Sequence, residues 1–590
     1  MSSQSQHFLL DTPIGSFLRM VADRQWLRFP EEQDDFQCPL SRASQGSPGP
    51  QPPPIDDRDR KESAFSKTRS HQESSGYTST VEETSIESLD QIPRLVCFPS
   101  RANEQRYAKG GTVDEEKQRP LNGACSPGGS CIVVDWYGGN DLANPRNWPV
   151  YKKVLIFAVV NYSNMVVHMS SSIYAASQKG MMEEFGVSPT VANLGLALFV
   201  LGYGFGPMIM SPLSEVDHVG RNLPYLISST IFLVLSVLTA TVGNVEGLMV
   251  LRFLQGFFGS PMLASGGASL GDVCDENVQP LALYTWACSG FAAASIAPIL
   301  SSFTIPIMGW RWSLWEIVIL NAPTLMTPET SRGKILYMRL QRLQKRYPEI
   351  HMITAGQAKS PKSTTSGLWN AVVVPVQMHL LDPSITFTSV YSGFVYGIYY
   401  SFFEVLPFVY EGIYQLPLDM ASLAYLSVVA GVFLIGIPYC GYIYFYALPL
   451  SQKGVSIAPE QRLLPALFSS FLVPGGLFLF AWTPRPSIHW IVPTLGIAMT
   501  SAGIVIIIQC IFVYLSLSYP MYAASAFGGN SFLRSLIAFA ALLWSKPLYH
   551  RLGVGGGSSL LGGLCIFGVA GIFILYRYGA ALRMKSSFTG

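Results

Sequence analysis

Charged residues are scarce in this chain. Only 13% of its 590 residues are Asp, Glu, Lys or Arg, where an average soluble protein has roughly 25%. The formal net charge is +2, so the strongly basic character typical of nucleic-acid-binding proteins is missing. By contrast, 49% of the residues are hydrophobic. The composition excludes the usual kind of nucleic-acid-binding protein and favours a protein embedded in a membrane.

Cysteine patterns that would indicate a metal site or a disulfide framework are also missing. The nine cysteines include no CxxC pair and show no regular spacing. Cys125 and Cys131 lie in a Gly/Ser/Pro stretch that is too flexible to indicate a metal site. The apolar spans contain no cluster of metal ligands, no phosphate loop and no nucleophile with a base. We therefore predict neither a metal site nor an enzyme.

The N-terminal region has no recognisable secretory signal peptide. Its apolar core, residues 8–10, is too short and is followed at once by Asp11. The first apolar span is therefore expected to act as an internal insertion signal. Residues 8–27 have the periodicity of a short amphipathic helix. Residues 38–130 are rich in Ser, Pro, Gly and charge and are predicted to be disordered.

Long apolar stretches dominate the chain from Val154 to Tyr578. About 20 apolar residues in a helix cross a hydrocarbon core of roughly 30 Å, and a helix satisfies its own backbone hydrogen bonds there. We therefore predict an all-α polytopic membrane protein with twelve spans. They are 154–176, 190–212, 222–243, 248–271, 280–304, 313–327, 385–410, 419–446, 463–483, 489–517, 523–545 and 556–578.

Basic residues are concentrated between the sixth and seventh spans. The loop 328–384 contains eight Lys and Arg residues, and such residues accumulate on the cytoplasmic side of membranes. The loop and both termini are therefore predicted to be cytosolic. The domains expected are a tail (1–133), a pre-membrane segment (134–153), a six-helix half (154–327), the basic loop (328–384), a second half (385–578) and a tail (579–590). Two halves favour a transporter with a central cavity, although the topology alone leaves other transporter folds and some receptors or enzymes open.

A polar motif, SPLSEVDHVGRNLPY (211–225), joins the second and third spans. A tight turn precedes a basic residue, and either of two acids upstream offers it an ion-pair partner. We predict a cytoplasmic latch that holds neighbouring helices in one conformation and breaks in another. The residues of this latch are Pro212, Glu215, Asp217, Gly220 and Arg221.

A charged side chain lies inside the fourth span, in the segment LRFLQGFFGSPMLASGGASLGD (251–272). A charge at mid-membrane costs roughly 2.5–3.5 kcal/mol on insertion scales, so Arg252 should face a cavity or a partner. A purely structural ion pair is the alternative. The small residues that follow, beginning with Gly256, favour close helix contact.

These segments resemble the two signature motifs of the major facilitator superfamily, the latch between helices two and three and the RxxQG of helix four. The chain is similar to the fungal twelve-span drug:proton antiporters of the benomyl/fluconazole-resistance type. The likeness covers nearly the whole chain except residues 40–130. The matching stretches include VDWYGGNDLANPRNWP (134–149), WRWSLWE (310–316), YGIYYSFFE (396–404), FLRS (532–535) and YGAALRMKSSF (578–588).

The resemblance implies a major facilitator fold that exports drugs or toxic small organic molecules by alternating access. Inward proton movement would drive the export, so a proton gradient takes the place of a cofactor. The partners expected are small amphipathic substrates and the lipid bilayer, without nucleic acid, and the protein is expected to be monomeric. The plasma membrane is the expected location, with the vacuolar membrane as the alternative.

By analogy with the family, Arg252 assists proton coupling and Glu404 lines the cavity from span seven. Glu404 lies close to the end of its span, so a solvated rim residue is the other reading. His168 in span one is either a further polar contact or a satisfied polar residue, and the tyrosines of span seven are either cavity walls or an interfacial belt. The candidate cavity residues are Asn161, Gln255, Tyr396, Tyr399, Tyr400 and Phe403.

Two stretches depart from the family pattern. Family members carry a glycine- and proline-rich motif in span five, whereas residues 293–302 keep only Pro298 of it, beside Ala297. The missing glycines would permit bends and hinges in this helix, on which the direction of antiport depends. Span six, from Leu314 to Met326, would reach only about 20 Å as an α-helix. We interpret this as a missing piece of sequence, in preference to a strained helix that thins the membrane.

Two other functions remain open from the sequence. One is a facilitator or importer of a metabolite such as a polyamine or a secondary product. The other is a non-transporting receptor or scaffold that signals through the long N-terminal tail.

Overall fold

The computed structural model describes residues 29–32, 132–275, 278–326, 329–348, 350–355, 364–453, 457–519, 523–584 and 586. Short 3-10 and π segments connect some of its helices. The predicted helix at 8–27 and the predicted disordered segment 38–130 lie outside the described residues. The elements are β1 (Ile132–Val134), α1 (Val150–Ser172), α2 (Gln178–Phe185), α3 (Pro189–Glu215), α4 (Asn222–Thr241), α5 (Val245–Val273), α6 (Gln279–Met308), α7 (Trp312–Asn321), α8 (Arg332–Arg346), β2 (Met352–Thr354), α9 (Thr364–Leu381), α10 (Pro383–Pro407), α11 (Leu418–Ser422), α12 (Leu426–Tyr442), α13 (Leu448–Gln452), α14 (Leu464–Trp482), α15 (Ile491–Ser518) and α16 (Ala523–Met584).

Many of these helices, alone or joined end to end with a neighbour, are long and apolar enough to cross a bilayer. Within the described residues, nine helical segments have the length and hydropathy of a membrane span. The last of them, Ser525–Met584, is 60 residues long and is kinked at Gly553, where φ is 68° and ψ is 172°. The prediction of a helical membrane protein is confirmed, while the number of twelve spans stays a prediction.

Local sequence signals fix where two of the central helices begin. Ser188 precedes α3, and its Oγ accepts the N–H of Val191 at 3.4 Å. Asp382 precedes α10, and its Oδ1 accepts the N–H of Ser384 at 2.8 Å. The other oxygen of Asp382 accepts the hydroxyl of Tyr519 at 2.6 Å. Both helices then start with proline, which suits the first helical position, where an N–H would have no helical partner.

Helix α10 runs through the interior of the bundle. Of its 25 residues, 18 are buried, including serines, a threonine and three tyrosines in its second half. These polar side chains lower its hydropathy, so α10 is not one of the nine segments above. An interior helix packs against protein on all sides and uses polar side chains for contacts between helices. Its composition therefore fits its position.

The short sixth span is an α-helix that continues as a 3-10 helix. Helix α7 has 10 residues, and Ala322–Met326 follow as a 3-10 segment. A 3-10 helix rises about 2.0 Å per residue against 1.5 Å in an α-helix, so the combined segment reaches about 25 Å. The earlier start at Trp312 and the 3-10 continuation together reduce the shortfall predicted for an all-α span from Leu314 to Met326. The missing piece of sequence stays a prediction.

The chain divides into two compact units. The described residues of Asn140–Met338 and Ser360–Gly590 belong to the first unit, which contains the long apolar helices. The described residues of Arg28–Gly139 and Arg339–Lys359 form the second. In the second unit, β1 and β2 pair in parallel. No local sequence pattern indicates this small ladder.

A buried acid lies at the centre of the second unit. The Oε1 of Glu31 is 3.0 Å from the Nε of Arg339, and its Oε2 is 3.2 Å from the Nε of Arg342. The Arg342 guanidinium also lies 3.8 Å from the ring centre of Phe29. Residues 29–32 are thus held against the second half of α8 by charge and ring contacts.

Candidate functional site

Arg252 is fully buried in α5 and bonds to main-chain oxygens of two other helices. Its Nε donates to the carbonyl of Gly195 at 3.0 Å. Its Nη1 donates to the carbonyl of Ser170 at 3.1 Å, and its Nη2 donates to that of Ser171 at 3.3 Å. The guanidinium also lies 4.7 Å from the ring centre of Phe199. Within the described part of the chain no carboxylate pairs with Arg252, so the structural ion pair considered from the sequence does not form there.

Helix α1 changes its hydrogen-bonding pattern beside Arg252. It is α-helical to Ser172 and continues as a 3-10 helix over Ile173–Ser177. Such a change frees some of the last α-helical carbonyls, and the guanidinium donates hydrogen bonds to two of them. Gln255, predicted to line the cavity, contacts Arg252 at 3.3 Å and donates to Ser236 at 3.0 Å. Gln255 is fully buried, and its contact helps to hold the side chain of Arg252 in place.

The glycine of the RxxQG motif lets α5 touch α3. A Cβ atom on Gly256 would lie 2.1 Å from the carbonyl oxygen of Phe199. A Cβ atom on Gly202, in α3, would lie 2.2 Å from the carbonyl oxygen of Phe253. The two backbones approach as closely as small residues allow. The close contact predicted after Arg252 is confirmed at Gly256.

A layer of hydroxyl groups joins helices that precede the basic loop to helix α10, which follows it. The Tyr203 hydroxyl of α3 lies 2.9 Å from that of Tyr396 and 3.0 Å from that of Tyr400. The Tyr400 hydroxyl also lies 3.2 Å from the Oγ of Ser171. We name these four residues the tyrosine layer. Arg252 contacts this layer directly, because it donates to the carbonyl of Ser171.

One cavity, of about 390 Å³, lies on the side of the tyrosine layer where α1 and α10 end. We name it the Glu404 cavity. Glu404 lines it one helical turn beyond Tyr400, and Phe403, another predicted cavity residue, lines it too. The Nε2 of Gln178 donates to the Oε1 of Glu404 at 3.4 Å. Glu404 is thus reachable from a cavity and contacts a helix that precedes the basic loop.

Two further contacts bridge the bundle at this end. The Nζ of Lys179 lies 2.6 Å from the Oε2 of Glu411. The Nδ2 of Asn193 donates to the carbonyl of Leu542 at 2.6 Å. Each contact joins a residue before the basic loop to one after it. They would have to break if the two sets of helices separated here.

Two smaller spaces lie on the other side of the tyrosine layer. The larger, about 230 Å³, we name the Arg534 cavity. The smaller, about 40 Å³, we name the inner pocket, and it is lined by His168, Tyr203 and Tyr396. Arg534 lines both spaces. The Glu404 cavity and the Arg534 cavity therefore lie on opposite sides of the tyrosine layer.

Acidic side chains from two other segments contact the predicted latch. The Nε of Arg221 lies 2.6 Å from the Oδ2 of Asp272, at the end of α5. Glu329 accepts the N–H groups of Arg221 and Asn222, each at 3.1 Å, and that of Ser331 at 2.8 Å. Burial raises the pKa of Glu329, and these three N–H groups partly oppose the rise. A carboxylate thus covers the first N–H groups of α4.

The other latch residues surround the same turn. Gly220 has φ at 74°, a conformation that favours glycine. The Oδ1 of Asp217 lies beside Gly333, where a Cβ atom would come within 2.1 Å of it. Pro212 is in the last turns of α3. The side chain of Glu215 lies outside the described residues, so its predicted ion pair with Arg221 stays a prediction.

The remaining candidates are divided between cavity walls and helix contacts. Asn161 donates to the carbonyl of Phe157 in its own helix at 2.7 Å. The Tyr399 hydroxyl donates to the carbonyl of Phe291 at 3.0 Å, which joins α10 to α6. Pro298 lines the Glu404 cavity from α6. The neighbouring residue of the helix-five motif, Ala297, is fully buried.

Several residues of the site were not identified from the sequence. Arg534 carried the same signal as Arg252, a charge within an apolar span, and that rule could have found it. Tyr203 carried no such signal, because it is 193 residues from Tyr396. The partnership between Lys179 and Glu411 also depends on which helices are neighbours. Such pairs are set by packing and are invisible to local patterns.

A family model agrees with this architecture. The model of the Major Facilitator Superfamily matches residues 161–542, which is more than half of the chain. The crystal structure of a D-xylose-proton symporter has a TM-score of 0.50 and 14% sequence identity, covering 72% of this chain and 97% of that one. The xylose transporter XylE from E. coli, in a partially occluded inward open conformation, has a TM-score of 0.50 and 13% identity. The predicted major facilitator fold is confirmed.

Fungal relatives match most of the chain. The MFS-type transporter pyvG of Aspergillus violaceofuscus is 45% identical over 469 residues, covering 78% of this chain and 85% of that protein. Fluconazole resistance protein 1 of Saccharomyces cerevisiae is 35% identical over 550 residues, covering 87% and 99%. The cycloheximide resistance protein of Candida maltosa is 34% identical over 478 residues, covering 78% and 87%.

Proposed function

The chain belongs to the Major Facilitator Superfamily, and we propose that it exports drugs or other toxic small organic molecules by alternating access. The observation that carries this proposal is the tyrosine layer between two cavities. A transporter of this kind needs a barrier between its two sides, so that the substrate site opens to one side of the membrane at a time. Relatives named for fluconazole and cycloheximide resistance support organic substrates. Aromatic and apolar walls suit weakly selective binding of such molecules.

A proton gradient is the proposed energy source, without a cofactor. Glu404 is the proposed proton carrier, because it lines a cavity and contacts Gln178 on a helix before the basic loop. Loss of charge at Glu404 would weaken this contact, which links protonation to the separation of the helices at this end. The position of Glu404 in the cavity wall therefore favours a proton site over a solvated rim residue.

Arg252 is proposed to act indirectly in the coupling. It lines neither cavity and instead fixes the carbonyls of Ser170 and Ser171, where α1 changes its helix type. Since Ser171 belongs to the tyrosine layer, a shift of Arg252 would reposition one edge of the barrier. Arg252 is therefore a positioning residue in this proposal.

The membrane orientation follows from the basic residues. With the loop 328–384 and both termini in the cytosol, the Arg534 cavity faces the cytosol and the Glu404 cavity faces outward. Two six-helix halves, 154–327 and 385–578, would then rock about the tyrosine layer. The plasma membrane is the proposed location and a monomer the proposed state.

The latch is proposed to stabilise one of the two conformations at the cytosolic end. Arg221 connects the start of α4 to Asp272 at the end of α5, and Glu329 connects the same turn to the segment before α8. Ion pairs of this kind are broken and re-formed more readily than apolar packing. The latch would therefore open as the helices of this half move.

Export by intact cells tests the proposal. Cells expressing the chain are loaded with fluorescent dyes, and loss of dye is followed with and without a protonophore, beside Arg252→Ala and Glu404→Gln. We expect faster efflux than in control cells, abolished by the protonophore and reduced in both variants. Equal efflux with and without the chain, despite correct surface delivery, would contradict the proposal. Faster uptake would favour an importer.

A further inference from the structure

Arg534 is a cation in the interior of the bundle with rings as its immediate neighbours. Its guanidinium carbon lies 4.6 Å from the ring centre of Tyr396 and 5.4 Å from that of Phe512. Its Nε is buried and has no hydrogen-bond partner in the described part of the chain. Ring contacts offset only part of the cost of removing a guanidinium from water. Its surroundings thus leave this cation with unused donor capacity.

A second donor without an acceptor lies in the wall of the same cavity. The indole Nε1 of Trp286 is buried and, among the described residues, finds no hydrogen-bond partner. Trp286 lines both the Arg534 cavity and the inner pocket, as Arg534 does. Buried N–H groups are nearly always paired in folded proteins. Both N–H groups belong to side chains that line one space, so this part of its wall is electropositive and suited to a ligand with an acceptor.

The charges around the space have one sign. No Asp or Glu is among the described residues that line the Arg534 cavity or the inner pocket. The other cation of the cavity wall, Arg221, is already paired with Asp272. The Glu404 cavity differs, since Glu404 and Glu411 both line it. Arg534 is therefore the charge that a ligand would meet on the cytosolic side.

The remaining walls are flat and apolar. Phe512 lines the Arg534 cavity and the inner pocket, Phe527 lines the former, and Phe291 lines the latter. Such rings bind the faces of other aromatic rings. A guanidinium binds a carboxylate through two parallel hydrogen bonds. The two features together select a ring system that carries an acidic group.

We propose that Arg534 forms, with Trp286, an anion subsite that selects small aromatic carboxylates as substrates of this transporter. The inference deepens the proposed function and rests on it for the transport step, but binding to the subsite does not depend on transport. The carboxylate would lie against the Arg534 guanidinium and its ring against Phe512. Neutral compounds of the same shape would bind more weakly because they leave the guanidinium unpaired.

Binding of a matched pair tests the inference. Purified protein in detergent at pH 7 is titrated with 1-naphthoic acid and with 1-naphthamide, which differ by a carboxylate in place of an amide. A hydrogen bond to a charged group contributes enough to predict a preference for the acid of about tenfold or more. The variants are Arg534→Gln and Arg534→Lys. Arg485→Gln, a loop cation outside the cavities, is the matched control.

The outcomes separate the subsite from the fold and from transport. We expect Arg534→Gln to bind both compounds equally and near the wild-type affinity for the amide, while Arg534→Lys keeps part of the preference and Arg485→Gln keeps all of it. Equal binding by the wild type, or an unchanged preference in Arg534→Gln, would overturn the inference. If Arg534→Gln binds neither compound, the inference is tested by the preference of the wild type and of Arg534→Lys for the acid over the amide. Tight binding of the acid without export would contradict the proposed function and leave the subsite standing.

Discussion

Arg252 and Arg534 are both cations inside apolar helices, yet their surroundings differ. Arg252 is enclosed by carbonyl groups that take up its donors. Arg534 lines two spaces, and its Nε has no partner in the described part of the chain. A buried charge whose three nitrogens all donate hydrogen bonds is suited to holding structure. An unsatisfied one beside a cavity is suited to binding a ligand.

Substitution of Arg252 by lysine tests its role at the residue scale. A planar fork reaches three carbonyl groups, and an ammonium group cannot replace that geometry. Hydrogen bonds from a charged group contribute about 1.5–3 kcal/mol each, so losing one or more should slow export by about tenfold or more. Initial efflux rates, divided by the amount of protein at the surface, provide the measurement. A wild-type rate for Arg252→Lys would show that charge alone suffices.

A charge in an apolar span marks an unusual residue, but it does not identify the partners of that residue. Arg252 and Arg534 both carry a charge within an apolar span, but only Arg252 is among the residues predicted from the sequence to form the site. Asp272 was not recognised as the partner of Arg221, because their pairing depends on α4 lying beside α5. Local patterns indicate which side chains are unusual, and three-dimensional neighbours decide what they do.

At the element scale, the start of α4 depends on a carboxylate from another segment. Glu329→Ala removes the acceptor for the N–H groups of Arg221 and Asn222, and loss of such a cap costs about 1 kcal/mol. Glu329→Gln keeps an acceptor oxygen. We therefore expect the alanine variant to unfold at a lower temperature than the glutamine variant at pH 7. Thermal unfolding in detergent is the measurement, and equal midpoints would contradict the capping role.

The same carboxyl gives a pH signature. Burial raises the pKa of Glu329 above its ordinary value of 4.5, so the folded chain binds this proton more readily than the unfolded chain. Its contribution to stability therefore increases as pH falls through the raised pKa, and it is complete below 4.5. Glu329→Gln lacks this contribution. We expect the midpoint of the wild type to rise relative to that of Glu329→Gln as pH is lowered, and a constant difference would contradict it.

The small second unit depends on Glu31. Removing its charge takes the shared counter-ion from Arg339, which is buried, and from Arg342, which is half-buried. Breaking a buried pair costs roughly 3–5 kcal/mol. We expect Glu31→Gln to speed hydrogen exchange at the amides of β1 and β2. Glu32→Gln is the control, because its carboxylate accepts the N–H of Phe29 and the amide oxygen can do the same. Unchanged exchange in Glu31→Gln would show that the ladder is held by other contacts.

Elements were more predictable than their details. Hydropathy located the long helices, because the bilayer imposes one length and one composition on them. It did not predict the 3-10 continuation of α7 or the β1–β2 ladder. The former is a local change in hydrogen bonding, and the latter pairs residues 220 positions apart (Ile132 with Met352). Neither leaves a periodic signal.

At the scale of the whole molecule, the contact between Lys179 and Glu411 must open if the Glu404 cavity releases substrate outward. A short cross-link between cysteines at these positions should therefore stop export. We expect Lys179→Cys/Glu411→Cys to export until treated with a short bismaleimide. Each single cysteine variant, treated in the same way, is the control. Undiminished export after complete cross-linking would show that this end does not open.

Transport by purified protein tests the central claim most directly. The chain is reconstituted in liposomes, a pH gradient is imposed, and movement of a fluorescent substrate is followed for the wild type and Glu404→Gln. The account predicts uphill movement of substrate against the proton flux in the wild type, with none in Glu404→Gln. Substrate movement that ignores the pH gradient, or uphill transport by Glu404→Gln, would contradict it.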